Sequence, residues 1–174
     1  MERTTILSCF APPEGFEGNF GWVCGFTANA TVLEEMADRF TSGVRRRRSS
    51  LAVFLHPTSF HYPVLHGVSV PFWRPSANRS FNLLHAKVAL LHFVGQQGSR
   101  LRLIVSTGNW TYDPMSTSLD MFWIVEWDEA TPDRQAAADI RAAAAMFVWL
   151  MQLFDTSVLE ADWGHGTPEN GLRR

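Results

Sequence analysis

LLHAKVALLHF, residues 83–93, and LRLIVSTGNWT, residues 101–111, carry the clearest strand pattern in this chain. Each contains a run of branched and apolar residues of the length and composition typical of a β-strand. We therefore predict strands around Leu84–Phe93 and Leu101–Ser106, joined by the short loop GQQGS. Lys87, in the first strand, is the only lysine among the 15 Lys and Arg residues of the chain. A lysine in this place calls for a specific explanation.

Strand and helix patterns alternate along the rest of the chain. A helix is predicted from near Thr31, which has capping-box spacing to Glu34, to before Gly43. A longer helix is predicted from Thr131, as N-cap, to about Phe154. Further strands are predicted at Thr4–Phe10, Phe20–Phe26, Leu51–Leu55, Val64–Phe72 and from Met121 onward. This order predicts a single α/β domain over residues 1–160, with a mixed sheet flanked by helices and a flexible tail at residues 161–174.

The composition is that of a globular protein without strong overall charge. Of the 174 residues, 46% are hydrophobic and 18% are charged, and the formal net charge is −2. A nucleic acid would therefore have to bind to a local basic patch. The longest unbroken apolar run is the ten residues Ala142–Met151, whereas a membrane span needs about 20. Two cysteines in apolar segments fit a reducing environment, so we expect a cytoplasmic protein without a membrane span.

Polar side chains follow one another at the ends of the two quoted strands. His85 and Lys87 point to the same side of an extended chain, with backbones about 7 Å apart. The next strand runs into Thr107, Gly108 and Asn109, where glycine allows a close approach of the backbone. An imidazole, an ammonium and an amide at one place would form a phosphate site. The alternative is a core histidine beside a lysine that extends along the strand edge.

HAK followed by STGNWT resembles the HxK…N signature of the phospholipase D superfamily, over about residues 80–127. The nearest types are the tyrosyl-DNA phosphodiesterases and the small single-motif nucleases. The resemblance implies a phospholipase D-like fold and a metal-independent phosphodiesterase without a cofactor. It implies that His85 attacks phosphorus to form a phosphohistidine, and that Lys87 and Asn109 bind the non-bridging oxygens. Thr107 matches a substrate-side Ser or Thr, and Asp120 matches an acid that hydrogen-bonds the nucleophilic histidine.

The chain departs from the superfamily pattern in three ways, and the first is that the usual Gly-Ser before the asparagine is Ser106-Thr107 here. His92 stands where the commoner form of the superfamily has an aspartate, five residues after the lysine. The tyrosyl-DNA phosphodiesterase type also lacks this aspartate. The superfamily builds its active site from two motifs, and this chain has one. A homodimer, or a partner chain with a second HxK motif, would supply the second histidine. We therefore predict a phosphodiesterase that acts on nucleic acid, and we keep a phospholipid substrate and a non-catalytic binding module as alternatives.

Other candidate residues have both a functional and a structural interpretation. Asp120 would orient His85, or it forms a turn before a strand. Trp73 and Trp110 would stack on a substrate, or they pack a loop onto the domain. Arg45–Arg48 would hold phosphates, or they form a solvated loop after a helix. Three further tryptophans in periodic apolar segments are predicted to lie in the core, namely Trp123, Trp127 and Trp149.

Three histidines recur at five-residue intervals at His56, His61 and His66. This interval fits no common zinc-binding spacing, so no metal site is predicted from them. They could instead line a substrate cleft.

Overall fold

A computed structural model of the chain describes residues 5–44, 50–57, 64–74, 82–116 and 120–159. The elements, in chain order, are a 3-10 helix Ile6–Phe10, β1 Phe16–Gly25, α1 Ala30–Phe40, β2 Leu51–Leu55, β3 Val68–Ser69, β4 Phe72–Trp73, β5 Val88–Gly95, β6 Gly98–Ser106, α2 Tyr112–Ser116, β7 Phe122–Asp128, α3 Arg134–Met151 and β8 Phe154–Asp155. The predicted tail, Arg45–Arg48 and His61 lie outside the described residues.

Six of the strands form one mixed sheet in the order β3-β2-β1-β5-β6-β7. β1 pairs with β2 in parallel, and β5, β6 and β7 follow as antiparallel neighbours. The sheet therefore brings the carboxyl ends of β1, β2 and β6 to the same end as the amino ends of β5 and β7. This architecture confirms the prediction of an α/β protein with a mixed sheet.

The sheet is covered on its two faces by different helices. Alternate residues of β1 point to opposite faces, so Val23 packs in the cluster that contains α1 and Trp22 packs in the cluster that contains α3. The α1 helix contributes Leu33 and Met36 to its cluster, and α3 contributes Phe147. Burying both faces in this way gives a three-layer arrangement of helix, sheet and helix.

The prediction of a strand at Thr4–Phe10 is wrong, because residues Ile6–Phe10 form a 3-10 helix. Thr5 caps this helix, since its side chain accepts a hydrogen bond from the Ser8 N–H at 3.3 Å. A short apolar run does not distinguish a strand from a single buried helical turn. Here the Thr5 cap favours the helical turn, and the strands of the sheet are formed by other segments.

Both long helices occur where they were predicted, but their caps differ. Asn29 caps α1 by accepting from the Thr31 N–H at 3.0 Å, so Thr31 is not the N-cap. Glu34 accepts from the His66 N–H instead of closing a capping box. Asp133 caps α3 by accepting from the Ala136 N–H at 2.7 Å. Asn and Asp are as good N-caps as Ser and Thr, which makes neighbouring candidates hard to separate by sequence.

Two predicted strands are shorter than their apolar patterns. The segment Val64–Phe72 contains only β3 and the start of β4, and Gly67 interrupts it with a φ of 74°. The strand predicted from Leu84 begins at Val88. Its pairing with β1 starts at Val88, which lies opposite Cys24, and β1 ends one residue later at Gly25, so Leu84 extends beyond the end of β1.

Two of the three tryptophans predicted for the core are largely exposed. Trp123 is 59% exposed and Trp149 is 39% exposed. Trp127 is partly buried against the α3-side cluster. Trp123 lies near the start of the edge strand β7. Val125 and Trp127, at alternate positions of the same strand, pack against the α3-side cluster, and Trp123 is not part of that cluster.

Candidate functional site

The HAK motif lies in a segment without regular secondary structure at one end of the sheet, immediately before β5. The Ser106 N–H donates to the Lys87 carbonyl at 2.9 Å, which joins this segment to the end of β6. The two stretches singled out by sequence therefore meet as predicted. The prediction that His85 and Lys87 lie within the strand is wrong, because both residues precede β5.

Lys87 and His85 are in direct contact. The Lys87 Nζ lies 2.9 Å from the His85 Nδ1 and 3.0 Å from its Nε2. The lysine is only 5% exposed, whereas His85 is exposed. Burial lowers the pKa of Lys87, and the nearby Asp120 carboxylate opposes part of that shift. A nearly buried ammonium beside an exposed imidazole is suited to binding an anion at the ring.

Thr107 and Asp120 form the opposite side of the site. The Thr107 hydroxyl donates to the Asp120 carboxylate at 3.0 Å, and its oxygen accepts from the Met121 N–H at 3.1 Å. In the part of the chain that the structure describes, no hydrogen bond joins Asp120 to His85, contrary to our expectation. The carboxylate acts on the charge of Lys87 instead. Thr107 thus positions Asp120, and its predicted contact with a substrate stays a prediction.

Gly108 allows Asp120 to lie this close to the end of β6. A Cβ atom at position 108 would stand 2.8 Å from the Asp120 Cγ and 2.5 Å from the Pro114 Cβ. The Gly108 N–H donates to the Ser106 hydroxyl at 3.1 Å, which closes the turn after the strand. The glycine in STGN is therefore required by packing, because any side chain at this position would collide with Pro114 and Asp120.

Trp110 is fully buried, so it cannot stack on a substrate as we predicted. Its indole N–H donates to the Cys24 carbonyl at 2.8 Å, and its ring lies against Gly25. The Trp110 carbonyl accepts from the Asn29 N–H at 2.9 Å. These contacts anchor the residue directly after Asn109 to the end of β1, and so fix the backbone of Asn109.

Asn109 places a polar atom in the interior next to this anchor. Its side-chain oxygen is buried and has no hydrogen-bond partner among the residues that the structure describes. Buried polar atoms without partners are rare in folded proteins and need an explanation. A ligand bound at the end of the sheet would be one. No hydrogen bond joins Asn109 to His85 or Lys87 within the described part of the chain.

Trp73, the other predicted stacking residue, belongs to a separate pair of short strands. β4 pairs with β8, and the Trp73 ring packs edge-on against Phe154 at a centroid distance of 4.9 Å. It is partly buried against the α3-side cluster. These contacts favour the structural interpretation of Trp73.

Two residues of the site were missed as neighbours of His85, namely Phe26 and His56. Phe26 follows β1 and His56 follows β2, so the parallel pairing of these strands brings both to the same end of the sheet. The Phe26 ring lies 5.7 Å from the His85 ring and 5.3 Å from the His56 ring. The sequence shows that a histidine, His56, directly follows a buried strand. The order of strands in the sheet is needed to place this histidine near His85.

The described residues contain no group of three or more His, Cys, Asp or Glu side chains that could hold a metal ion. Within the same residues, no helix is long and apolar enough to cross a membrane.

No family model matches the chain, and a comparison with curated proteins finds no match. The fold and the site define an α/β protein with a candidate anion-binding site at one end of a mixed sheet. The function must therefore be inferred from the geometry of that site together with the motif.

Proposed function

We propose that this chain is a metal-independent phosphodiesterase of the phospholipase D type, which cleaves nucleic acid through a phosphohistidine at His85. The contact between the buried Lys87 ammonium and the exposed His85 ring carries the proposal, because it places a fixed positive charge within 3.0 Å of the atom that would attack phosphorus. The HxK…N motif supplies the choice of reaction.

The reaction has two displacement steps. A ring nitrogen of His85 attacks phosphorus, a P–N bond forms, and the P–O bond to the leaving group breaks. The leaving oxygen takes a proton from a general acid. In the second step the same group, now deprotonated, takes a proton from water, the water oxygen attacks phosphorus, the P–N bond breaks, and a phosphomonoester is released with the free imidazole. Lys87 and Asn109 would stabilise the charge on the phosphoryl oxygens in both steps.

A second histidine is needed as the general acid, since one ring cannot attack and protonate the leaving group in the same step. We propose that it comes from a second copy of the chain, with a partner chain carrying another HxK motif as the alternative. The exposure of the His85 side chain is compatible with either. Nucleic acid is preferred as substrate because the motif is closest to DNA-processing members.

Hydrolysis of bis(p-nitrophenyl) phosphate in excess EDTA tests the proposal. We expect turnover by the unaltered chain and a loss of at least about 100-fold in His85→Ala, because the nucleophile is gone. Lys87→Arg should lose a similar factor, since the planar guanidinium does not fit where the compact ammonium sits. His66→Ala removes an exposed histidine whose backbone bonds to α1, and it should retain activity.

Unchanged turnover in His85→Ala would reject the catalytic role of His85. Turnover that EDTA abolishes would reject a metal-independent reaction. If no variant turns over the diester but the chain binds single-stranded DNA in a Lys87-dependent manner, the non-catalytic binding module becomes the better interpretation.

A further inference from the structure

His56 makes a side-chain contact with the segment that carries His85. Its Nδ1 accepts a hydrogen bond from the Leu84 N–H at 3.2 Å, in a buried position. The backbone N–H of His56 donates to the Gly25 carbonyl at 3.1 Å, which extends the β1–β2 pairing by one residue. His56 therefore has a fixed backbone, and its ring holds the residue immediately before His85.

This contact replaces a missing strand interaction. Leu84 precedes β5, in a stretch where β1 no longer provides a partner. The backbone amide of a buried residue such as Leu84 still needs an acceptor. The His56 ring supplies that acceptor, and the orientation of the bond requires Nδ1 to be unprotonated. The position of the HAK segment thus depends on a side chain from another strand.

Phe26 connects the two histidine rings. It stacks on His56 with an angle of 27° between the ring planes, and it meets the His85 ring at 45°. The three rings form a row across the ends of β1, β2 and the HAK segment. The His85 ring is in contact with Phe26, and the backbone of the preceding residue, Leu84, is held by His56, so the ring has fewer orientations open to it than a free surface histidine.

We infer that His56 is a positioning residue that aims the His85 ring, acting through the Leu84 amide and the Phe26 ring. This inference rests on the proposed function, in which the orientation of His85 sets the rate of attack on phosphorus. Small errors in such an orientation lower the rate strongly while leaving binding largely unaffected.

Two substitutions separate the hydrogen bond from the volume of the ring. In His56→Asn the amide oxygen can take the place of Nδ1 and keep the bond to Leu84, whereas His56→Leu has comparable bulk without an acceptor. We expect kcat for the nitrophenyl diester to fall about 10- to 100-fold in His56→Leu, with KM within about threefold. His56→Asn should recover most of kcat. His66→Leu is the matched control, and the Leu84 amide proton should move upfield only in His56→Leu.

Equal kcat losses in His56→Leu and His56→Asn, or an unmoved Leu84 amide in His56→Leu, would overturn the inference. If His56→Leu does not fold, His56→Gln replaces it, since its amide reaches towards Nε2 and leaves Leu84 without an acceptor. The Leu84 amide and the His85 ring-nitrogen shifts are measured on the ligand-free protein. They decide the positioning role even if the unaltered chain proves inactive, which would be a failure of the proposed function alone.

Discussion

Lys87 occupies a place that selects for a lysine. Its side chain is nearly buried, yet its Nζ reaches both ring nitrogens of His85. A compact ammonium can take this position, whereas a guanidinium would need space for a planar fork of donors. The chain has arginine at all its other Lys and Arg positions, so we expect that Lys87→Arg is accommodated poorly at this nearly buried position.

The pH dependence of activity should report the charge of Lys87. The proposed reaction needs the ammonium, so activity should fall as the pH rises through the pKa of Lys87, which burial places below the usual lysine range. Asp120 raises that pKa, so Asp120→Asn should move the alkaline limb of the kcat/KM profile to lower pH. The measurement is the pH profile of diester hydrolysis for both proteins.

Asp139→Asn on α3 provides a charge-matched control, because Asp139 bonds to Gln135 on the same helix. Its profile should coincide with that of the unaltered chain. A shift of the Asp120→Asn limb to higher pH, or no shift at all, would contradict the assignment of that limb to Lys87.

At the scale of secondary structure, the strand at Leu51–Leu55 could be predicted to the residue because polar Ser50 and His56 bound a short apolar run. The start of β5 could not, since it depends on where β1 ends. Leu83 and Leu84 continue the apolar pattern of β5 although no strand lies beside them. Pairing between distant segments sets such boundaries, and a local pattern does not contain it.

At the same scale, Arg102 on β6 connects the sheet to the 3-10 helix and to the residue that follows it. Its guanidinium donates to the carbonyls of Cys9 at 2.6 Å and Ala11 at 2.8 Å, and it pairs with Glu126 on β7. Arg102→Met leaves both carbonyls without this donor, so we expect the free energy of unfolding to fall by about 2–4 kcal/mol. Urea denaturation followed by tryptophan fluorescence measures the change.

Arg39→Met is the control for this prediction. Arg39 forms an exposed i,i+4 pair with Glu35 on α1, and such pairs contribute less than about 0.5 kcal/mol. If Arg102→Met were no more destabilising than Arg39→Met, the Arg102 contacts would not hold the 3-10 helix onto the sheet.

For the molecule as a whole, the sheet order assembles the site from segments that are far apart in the chain. His85, Lys87 and Asn109 could be found from sequence because one motif contains them. Phe26 and His56 could not be linked to them, since their proximity depends on β1 lying between β2 and β5. The burial of Trp110 depends in the same way on its contact with the end of β1. The motif supplies the candidate site residues, and the sheet order supplies their neighbours.

The presence of one HxK motif in each chain leads to a prediction about dimers that contain one unaltered and one His85→Ala chain. If two copies of His85 share one site, a pair of one unaltered and one His85→Ala chain lacks either the nucleophile or the acid. After unfolding equal amounts together in urea and refolding them, random pairing leaves about one quarter of the dimers intact. We therefore expect about one quarter of the diester hydrolysis given by the same total amount of unaltered chain. Mixing with His66→Ala should leave it unchanged. A result of about one half would mean that each chain works independently of its neighbour, and the second histidine would then have to come from a different partner chain.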